Sequence, residues 1–179
     1  MADRTLTGFL LVGGASRRFG APKALARLGD ETLAERVWRT LGECCGERIA
    51  VGKKGDALDL PFPIVDDGTD VRAPLAGVVG GLRLARSGVC IFCPVDTPLV
   101  TAEALRALAA ACADAAVPQT GPLPGAYGKS TLPVLERRLA EGRLTLKDAL
   151  DELDTHVVEL DPAELVNVNT LADLQALRR

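Results

Sequence analysis

"VCIFCPVDTPLV", residues 89–100, is nearly continuously apolar from Val89 to Val95 and then breaks at Asp96, Thr97 and Pro98. A strand with one wet face would alternate, so this run reads as a strand buried on both faces, the middle of a parallel sheet with helices above and below. Asp96 falls where that strand ends. A carboxylate there is costly unless it lies at the open end of the sheet, partnered or binding a cation. Cys90 and Cys93 spell CxxC within the run, but odd spacing on a strand sends the two thiols to opposite faces, which makes both core residues.

Outward from this strand, short apolar runs alternate with amphipathic stretches, predicting an α/β fold with a mostly parallel sheet and helices on both faces. A first strand is expected over residues 7–12. A helix follows over "ETLAERVWRTLGE", with Thr32 and Glu35 as a capping box and Leu33, Val37 and Leu41 on one face. "RIAV" is a second strand, and "FPIVDD" a third that ends in two carboxylates, Asp66 and Asp67. "PLAGVVGGLRLAR" is a helix with Pro74 near its first turn. Thr101 caps "AEALRALAAACADA", and "AAVPQ" and "LPGAY" are short strands around a Gly/Pro turn. The last third supplies the helix "TLPVLERRLAEG", a short helix "TLKDALDEL" with Thr145 at its cap, a strand "HVVEL", and a terminal helix "LADLQALRR" capped by Thr170 with Asp173 three residues on. No composition break divides the 179 residues, so one domain over residues 1–179 is expected.

The chain is 47% apolar but only 3% aromatic, so the core must be built mainly from Leu, Val, Ile and Ala. A formal net charge of -3 gives no reason to expect nucleic acid, whose binders carry a basic face. Five cysteines are an odd number, and the first apolar run reaches glycine too soon for a signal peptide or membrane span, so a cytoplasmic, reducing location is expected. No second CxxC or histidine pair completes a zinc site. The single histidine, His156, has no evident catalytic partner and reads as a residue at the start of a strand.

"LLVGGASRRFGAPKAL", residues 10–25, follows the first strand at the place where open α/β sheets bind ligands. It is not a Walker A loop, because Ala21 and Pro22 separate Gly20 from Lys23, and it is not GxGxxG. It does offer Gly13 and Gly14 for close backbone approach, with Arg17, Arg18 and Lys23 carrying enough positive charge for a triphosphate. The alternative is a glycine turn with solvated arginines. If the first strand and residues 89–95 are neighbours, Asp96 faces this loop across a crevice. One carboxylate beside a triphosphate is a Mg2+ site whose other ligands are phosphate and water.

These residues resemble a known family. "LLVGGASRRFGAPKAL" is similar to the signature LAGGxSxRMGxDKAL of the molybdenum cofactor guanylyltransferases, or molybdopterin-guanine dinucleotide synthases. "APLAGVVGGL" matches the family's GPLAG helix start, "CPVDTPLV" its CDxP strand end, "GPLPGAY" its PL-x-x-Y strand and "LVNVNTLADL" its terminal NxNTxxDL, in order, from Gly8 to Leu174. The resemblance implies a three-layer α/β/α Rossmann-like nucleotidyltransferase fold with a mostly parallel mixed sheet. The implied activity is a Mg-dependent transfer of GMP from GTP to molybdopterin-bound molybdenum cofactor, giving the guanine dinucleotide and pyrophosphate.

Site roles follow from the same matches. Leu11, Gly13 and Gly14 would hold the nucleotide by backbone contacts, Lys23 would neutralise phosphates, and Arg17 and Arg18 would assist or form surface salt bridges. Asp96 would bind magnesium. Asp66 aligns with a nucleotide-binding aspartate, with Asp67 one residue away, and either would otherwise be a strand-end or turn-capping acid. Asn167 and Asn169 would line the pterin or phosphate side, or else form turns. The chain departs from the family pattern at Gly52, where an asparagine is common, at Ala73 for the glycine of GPLAG, and at Gly121. Implied partners are GTP and molybdopterin, with transient contact to molybdoenzyme maturation proteins, no nucleic acid and no membrane, in a monomer or weak oligomer. The alternatives are a relative using CTP or another phosphate acceptor, and a non-catalytic module that delivers cofactor.

Overall fold

The computed structural model describes residues 3–13 and 22–178. β1 (Asp3–Leu11) comes first, and Lys23–Leu25 forms one 3-10 turn ahead of a small hairpin, β2 (Arg27–Leu28) and β3 (Glu31–Thr32). α1 (Leu33–Cys44) opens on the expected capping box: the Thr32 side chain accepts from the Glu35 N–H at 3.1 Å while the Glu35 carboxylate accepts from the Thr32 N–H at 2.8 Å. It passes directly into β4 (Cys45–Gly52), followed by β5 (Ile64–Asp66), α2 (Pro74–Leu84) and β6 (Val89–Pro94). α3 (Ala102–Ala111) is capped by Thr101, whose hydroxyl accepts from the Ala104 N–H. β7 (Ala115–Pro118), β8 (Gly125–Gly128), α4 (Leu132–Ala140), α5 (Leu146–Ala149), β9 (Thr155–Val158) and α6 (Leu171–Ala176) complete the chain.

Seven strands form one sheet in the order β5-β4-β1-β6-β8-β7-β9, in which β8 runs against its two neighbours and every other pairing is parallel. The three-layer arrangement with a mostly parallel mixed sheet is therefore present. Leu6 and Leu10 of β1 and Ile91 and Cys93 of β6 pack under α1 and α3, against Val37, Leu41, Leu105 and Leu108. The alternate residues Phe9, Leu11, Cys90 and Phe92 face α2, α4 and α5 on the other side. Phe9 and Phe92 stack at 4.8 Å and Tyr127 of β8 meets Phe92 edge-on at 5.8 Å, so three of the chain's few aromatic rings lock the β1-β6-β8 seam.

Cys90 and Cys93 thus lie in opposite cores, as the odd spacing requires, and burial pushes each thiol up to about 12. His156 does sit at the start of β9, its Nδ1 2.8 Å from the Ala111 carbonyl. A third cluster, Leu28, Leu33, Val168 and Leu174, ties α6 to the small hairpin.

Two local expectations need correction. The third strand ends at Asp66, because Asp67 turns into the space beside α2 and donates its N–H to the Gly52 carbonyl at 3.1 Å. Thr145 stands before α5 without a side-chain cap bond, and that helix lasts one turn before tightening to a 3-10 turn at Leu150–Glu152.

The approach of α2 to residue 67 depends on Gly80. A Cβ there would lie 2.7 Å from the Asp67 Cβ and 2.8 Å from its Cα, and rigid backbone cannot yield as a flexible side chain would. Gly80→Ala is expected to cost about 1–3 kcal/mol in urea unfolding and to displace the segment following β5. A loss below about 0.5 kcal/mol, the scale of a neutral surface change, would show that the helix shifts freely.

Candidate active site

Along the sheet, the chain leaves β1 through α1 towards β4 and β5 on one side, then returns through α2 to β6 on the other side of β1. β1 and β6 are neighbours in parallel register, Leu11 opposite Pro94, so the condition set by the sequence is met. Between their carboxyl ends the connections diverge and leave a crevice, the switch point at which open α/β sheets take ligands.

Three residues distant in sequence converge there. Lys23 Nζ donates to Asn169 Oδ1 at 3.0 Å and lies 3.6 Å from Asp96 Oδ2. The side chains of Lys23 and Asp96 are 16% and 29% exposed, so the pair is reachable from solvent yet held. Asp96 occupies the turn after β6, and its backbone carbonyl accepts from the Val168 N–H at 2.8 Å. Val168 is fully buried, whereas Asn167 and Asn169 on either side of it are exposed. The structure therefore brings Lys23, Asp96 and Asn169 together, and Asn167 stands beside them on the same segment.

Leu11 is buried against α2, so only its backbone is available to a ligand. Gly13 is exposed at the base of the loop, and a Cβ on it would meet the Gly52 Cα at 3.9 Å. Gly14, Arg17 and Arg18 lie outside the described residues. A Cβ at Gly52 would fall 2.7 Å from Val12 Cγ2 and 3.2 Å from Ile64 Cγ2, which explains why this chain keeps a glycine at that position.

The two adjacent aspartates at the end of β5 have different environments. Asp67 is 6% exposed, and its carboxylate pairs with Lys53 Nζ at 2.7 Å and accepts from the Thr69 N–H at 3.1 Å. Asp66 is exposed and accepts from the N–H groups of Lys54 and Gly68, both at 2.8 Å. The Lys54 N–H, then that of Gly68, holds the Asp66 carboxyl below its usual range. Asp66 lines an open polar cavity of about 550 Å³ together with Lys53, Lys54, Thr69, Asp70 and Arg72. Lys53, the partner that fixes Asp67, went unnoticed in sequence because "GKK" carries no sign of which lysine turns inward.

α2 begins at the same end of the sheet, and Ala73 supplies no side-chain cap to its first turn. Its N–H groups and partial positive charge favour an anion there. Among the described residues, no helix is long and apolar enough to cross a membrane.

A family model for MobA-like NTP transferase domains matches residues 8–157. A probable molybdenum cofactor guanylyltransferase of Bacillus subtilis (strain 168) is 32% identical over 187 residues, covering 94% of this chain and 92% of the relative. A molybdenum cofactor guanylyltransferase of Desulfosudis oleivorans is 29% identical, with 95% and 93% covered. The crystal structure of molybdopterin-guanine dinucleotide biosynthesis protein A from Archaeoglobus fulgidus superposes with a TM-score of 0.81 at 24% identity, with 96% of each chain covered. The sheet order and layers are thus those of the Rossmann-like nucleotidyltransferases.

Because the folded value for Asp66 is depressed, its stabilising contribution is present above the unfolded carboxylate value of about 3.9 and is lost as pH falls through the folded value. Asp66→Asn is accordingly expected to lose less stability than the parent between pH 7 and pH 3, read as the change in urea midpoint. An identical loss in both would show that the Lys54 and Gly68 contacts contribute nothing.

Proposed function

The chain belongs to the MobA-like NTP transferase family, and on that premise we propose that it transfers GMP from GTP to molybdopterin-bound molybdenum cofactor, releasing pyrophosphate. The observation that carries this reading is the meeting of Lys23, Asp96 and Asn169 at the β1-β6 switch point. It is a site for placing and neutralising phosphates, and no described histidine or cysteine stands in it. The names of the relatives, which cover nearly the whole chain, supply the acceptor and the base.

A terminal phosphate oxygen of the pterin attacks the α-phosphorus of GTP in line. The bond from that phosphorus to the oxygen bridging to the β-phosphate breaks, and pyrophosphate leaves with the electron pair. The nucleophile is already an anion, so no general base is required, and the chain's contribution is position and charge. Lys23 places its ammonium against the phosphates. Arg17 and Arg18, a few residues earlier in the sequence, would add to that charge. Gly13 offers its backbone to the nucleotide just beyond β1, and Gly14, next in sequence, would do the same. Asp66 or Asp67 bounds the nucleotide side, and Asn167 and Asn169 the acceptor side.

Asp96 fits a magnesium ion: it is a hard oxygen donor, partly exposed, at the open end of the sheet. Bound there, Mg2+ would stabilise the charge developing on the phosphates. Lys23 Nζ lies 3.6 Å from the same carboxylate, so the ammonium compensates its charge. A reaction drawing on GTP belongs in the cytoplasm.

With magnesium and molybdopterin-loaded acceptor, pyrophosphate release is expected to be faster with GTP than with CTP or ATP; equal or greater turnover with CTP would reassign the base. Asp96→Asn is expected to lower turnover by about 10²–10³-fold with an unchanged circular dichroism spectrum. Activity retained in that variant at low magnesium would move the metal elsewhere.

A further inference from the structure

We propose that Asp173 is a positioning residue for nucleotidyl transfer, setting through the Asn169 backbone the carboxamide that holds the Lys23 ammonium at the crevice. The proposal rests on the transferase reading above and extends it to a residue that makes no hydrogen bond or ion pair with Lys23 or Asp96 among the described residues, although the Lys23 charge also acts on it through space.

Asp173 lies on α6, and its Oδ2 accepts two backbone N–H groups, those of Thr170 and Asn169, each at 2.8 Å. A capping box needs only the first of these, together with the Thr170 hydroxyl accepting from the Asp173 N–H at 3.1 Å. The bond to Asn169 lies outside that reciprocal pair and fixes the peptide from which the Asn169 side chain projects. One residue earlier, Val168 is fully buried in the cluster with Leu28, Leu33 and Leu174, and its N–H clamps the Asp96 carbonyl at 2.8 Å. Asn169 is thus held from both sides, and its Oδ1 receives the Lys23 ammonium at 3.0 Å across 146 residues of chain.

A lysine head on a flexible four-carbon stem has many places to go, and its useful one is set by the acceptor it meets. Asn169 is within hydrogen-bond range of it, and Asp96, at 3.6 Å, is a looser partner. The same N–H bonds, that of Asn169 foremost, keep the Asp173 carboxyl below its ordinary range, so the acceptor stays anionic in neutral solution. Asp173 relates to Lys23 as an outer hydrogen-bond partner relates to a ligating side chain, a role whose loss typically costs about 10–100-fold.

The two halves of the capping box separate this role from a structural one. Thr170→Ala removes one half and leaves the Asp173 bond to the Asn169 N–H intact, whereas Asp173→Ala removes the one oxygen that accepts both N–H groups. In the full-length protein both variants are expected to lower the melting temperature. Asp173→Ala should lower kcat about tenfold with the KM for GTP within about twofold, Asp173→Asn, which keeps an acceptor oxygen, should restore most of it, and Thr170→Ala should leave kcat within about twofold. In an Asn169→Ala background, Asp173→Ala should cost nothing further, since the coupled pair shares one route. Equal kcat losses in Thr170→Ala and Asp173→Ala, or an undiminished Asp173→Ala loss without Asn169, would overturn the proposal.

A second readout does not need turnover. The side-chain CεH2 resonance of Lys23, identified by its disappearance in Lys23→Arg, should shift in Asp173→Ala, stay in place in Thr170→Ala, and stay near its place in Asp173→Asn, which removes the charge and keeps the acceptor. An unmoved signal in Asp173→Ala would overturn the proposal as well. If the wild-type protein transfers no nucleotide, the transferase reading fails, while this resonance still decides whether Asp173 sets the lysine.

Discussion

The parallel pairing of β1 with β6 is the constraint on which the rest of the structure depends. The chain fills one flank of β1 with β4 and β5 before crossing back to place β6 on the other flank, so the two central strands send their connections in opposite directions. The opening between them needs no separate feature to form it. Phe9, Phe92 and Tyr127 hold that pairing shut from the α2 side, while mainly aliphatic and small residues fill the α1 and α3 side. Three of the chain's six aromatic residues lie on this seam, and a second stacked pair, Trp38 and Phe62 at 4.2 Å, lies on the opposite side of the sheet.

At the crevice the chain has arranged charges for use and not for stability. A partly exposed pair such as Lys23 and Asp96 contributes about 0–1 kcal/mol to folding, since solvent screens it. Lys53 and Asp67 are in the opposite situation. Their side chains are 11% and 5% exposed, and removing one partner would strand a buried charge. This contrast separates the adjacent acids: Asp67 is bound into the fold beside Gly80 and Gly52, and Asp66 is open to solvent over a polar cavity.

The C-terminal segment is where packing and chemistry meet. Val168 is inserted among leucines from the small hairpin and α6, which fixes the two asparagines beside it at the crevice. A short terminal helix of six residues is a weak element by itself. Here its capping box and Leu174 give it enough anchorage to brace the opposite end of the chain, with Arg178 donating to the Arg27 carbonyl.

The sequence by itself determined whatever is local or periodic. Capping boxes at Thr32/Glu35 and Thr170/Asp173 were legible because cap and partner are three residues apart, and the two-sided burial of residues 89–94 because every position is apolar. The signature residues around the loop and the order of the other matches made the family legible. The small hairpin, the early end of β5 and the missing cap at Thr145 were not, because two-residue strands carry no period and a cap bond depends on a rotamer. Tertiary structure alone decided that Lys23 meets Asn169, that Lys53 claims Asp67, and that Gly52 is closed by Val12 and Ile64. Those contacts join segments from 12 to 146 residues apart, and their distances follow from how sheet and helices pack, a property no stretch of chain possesses alone.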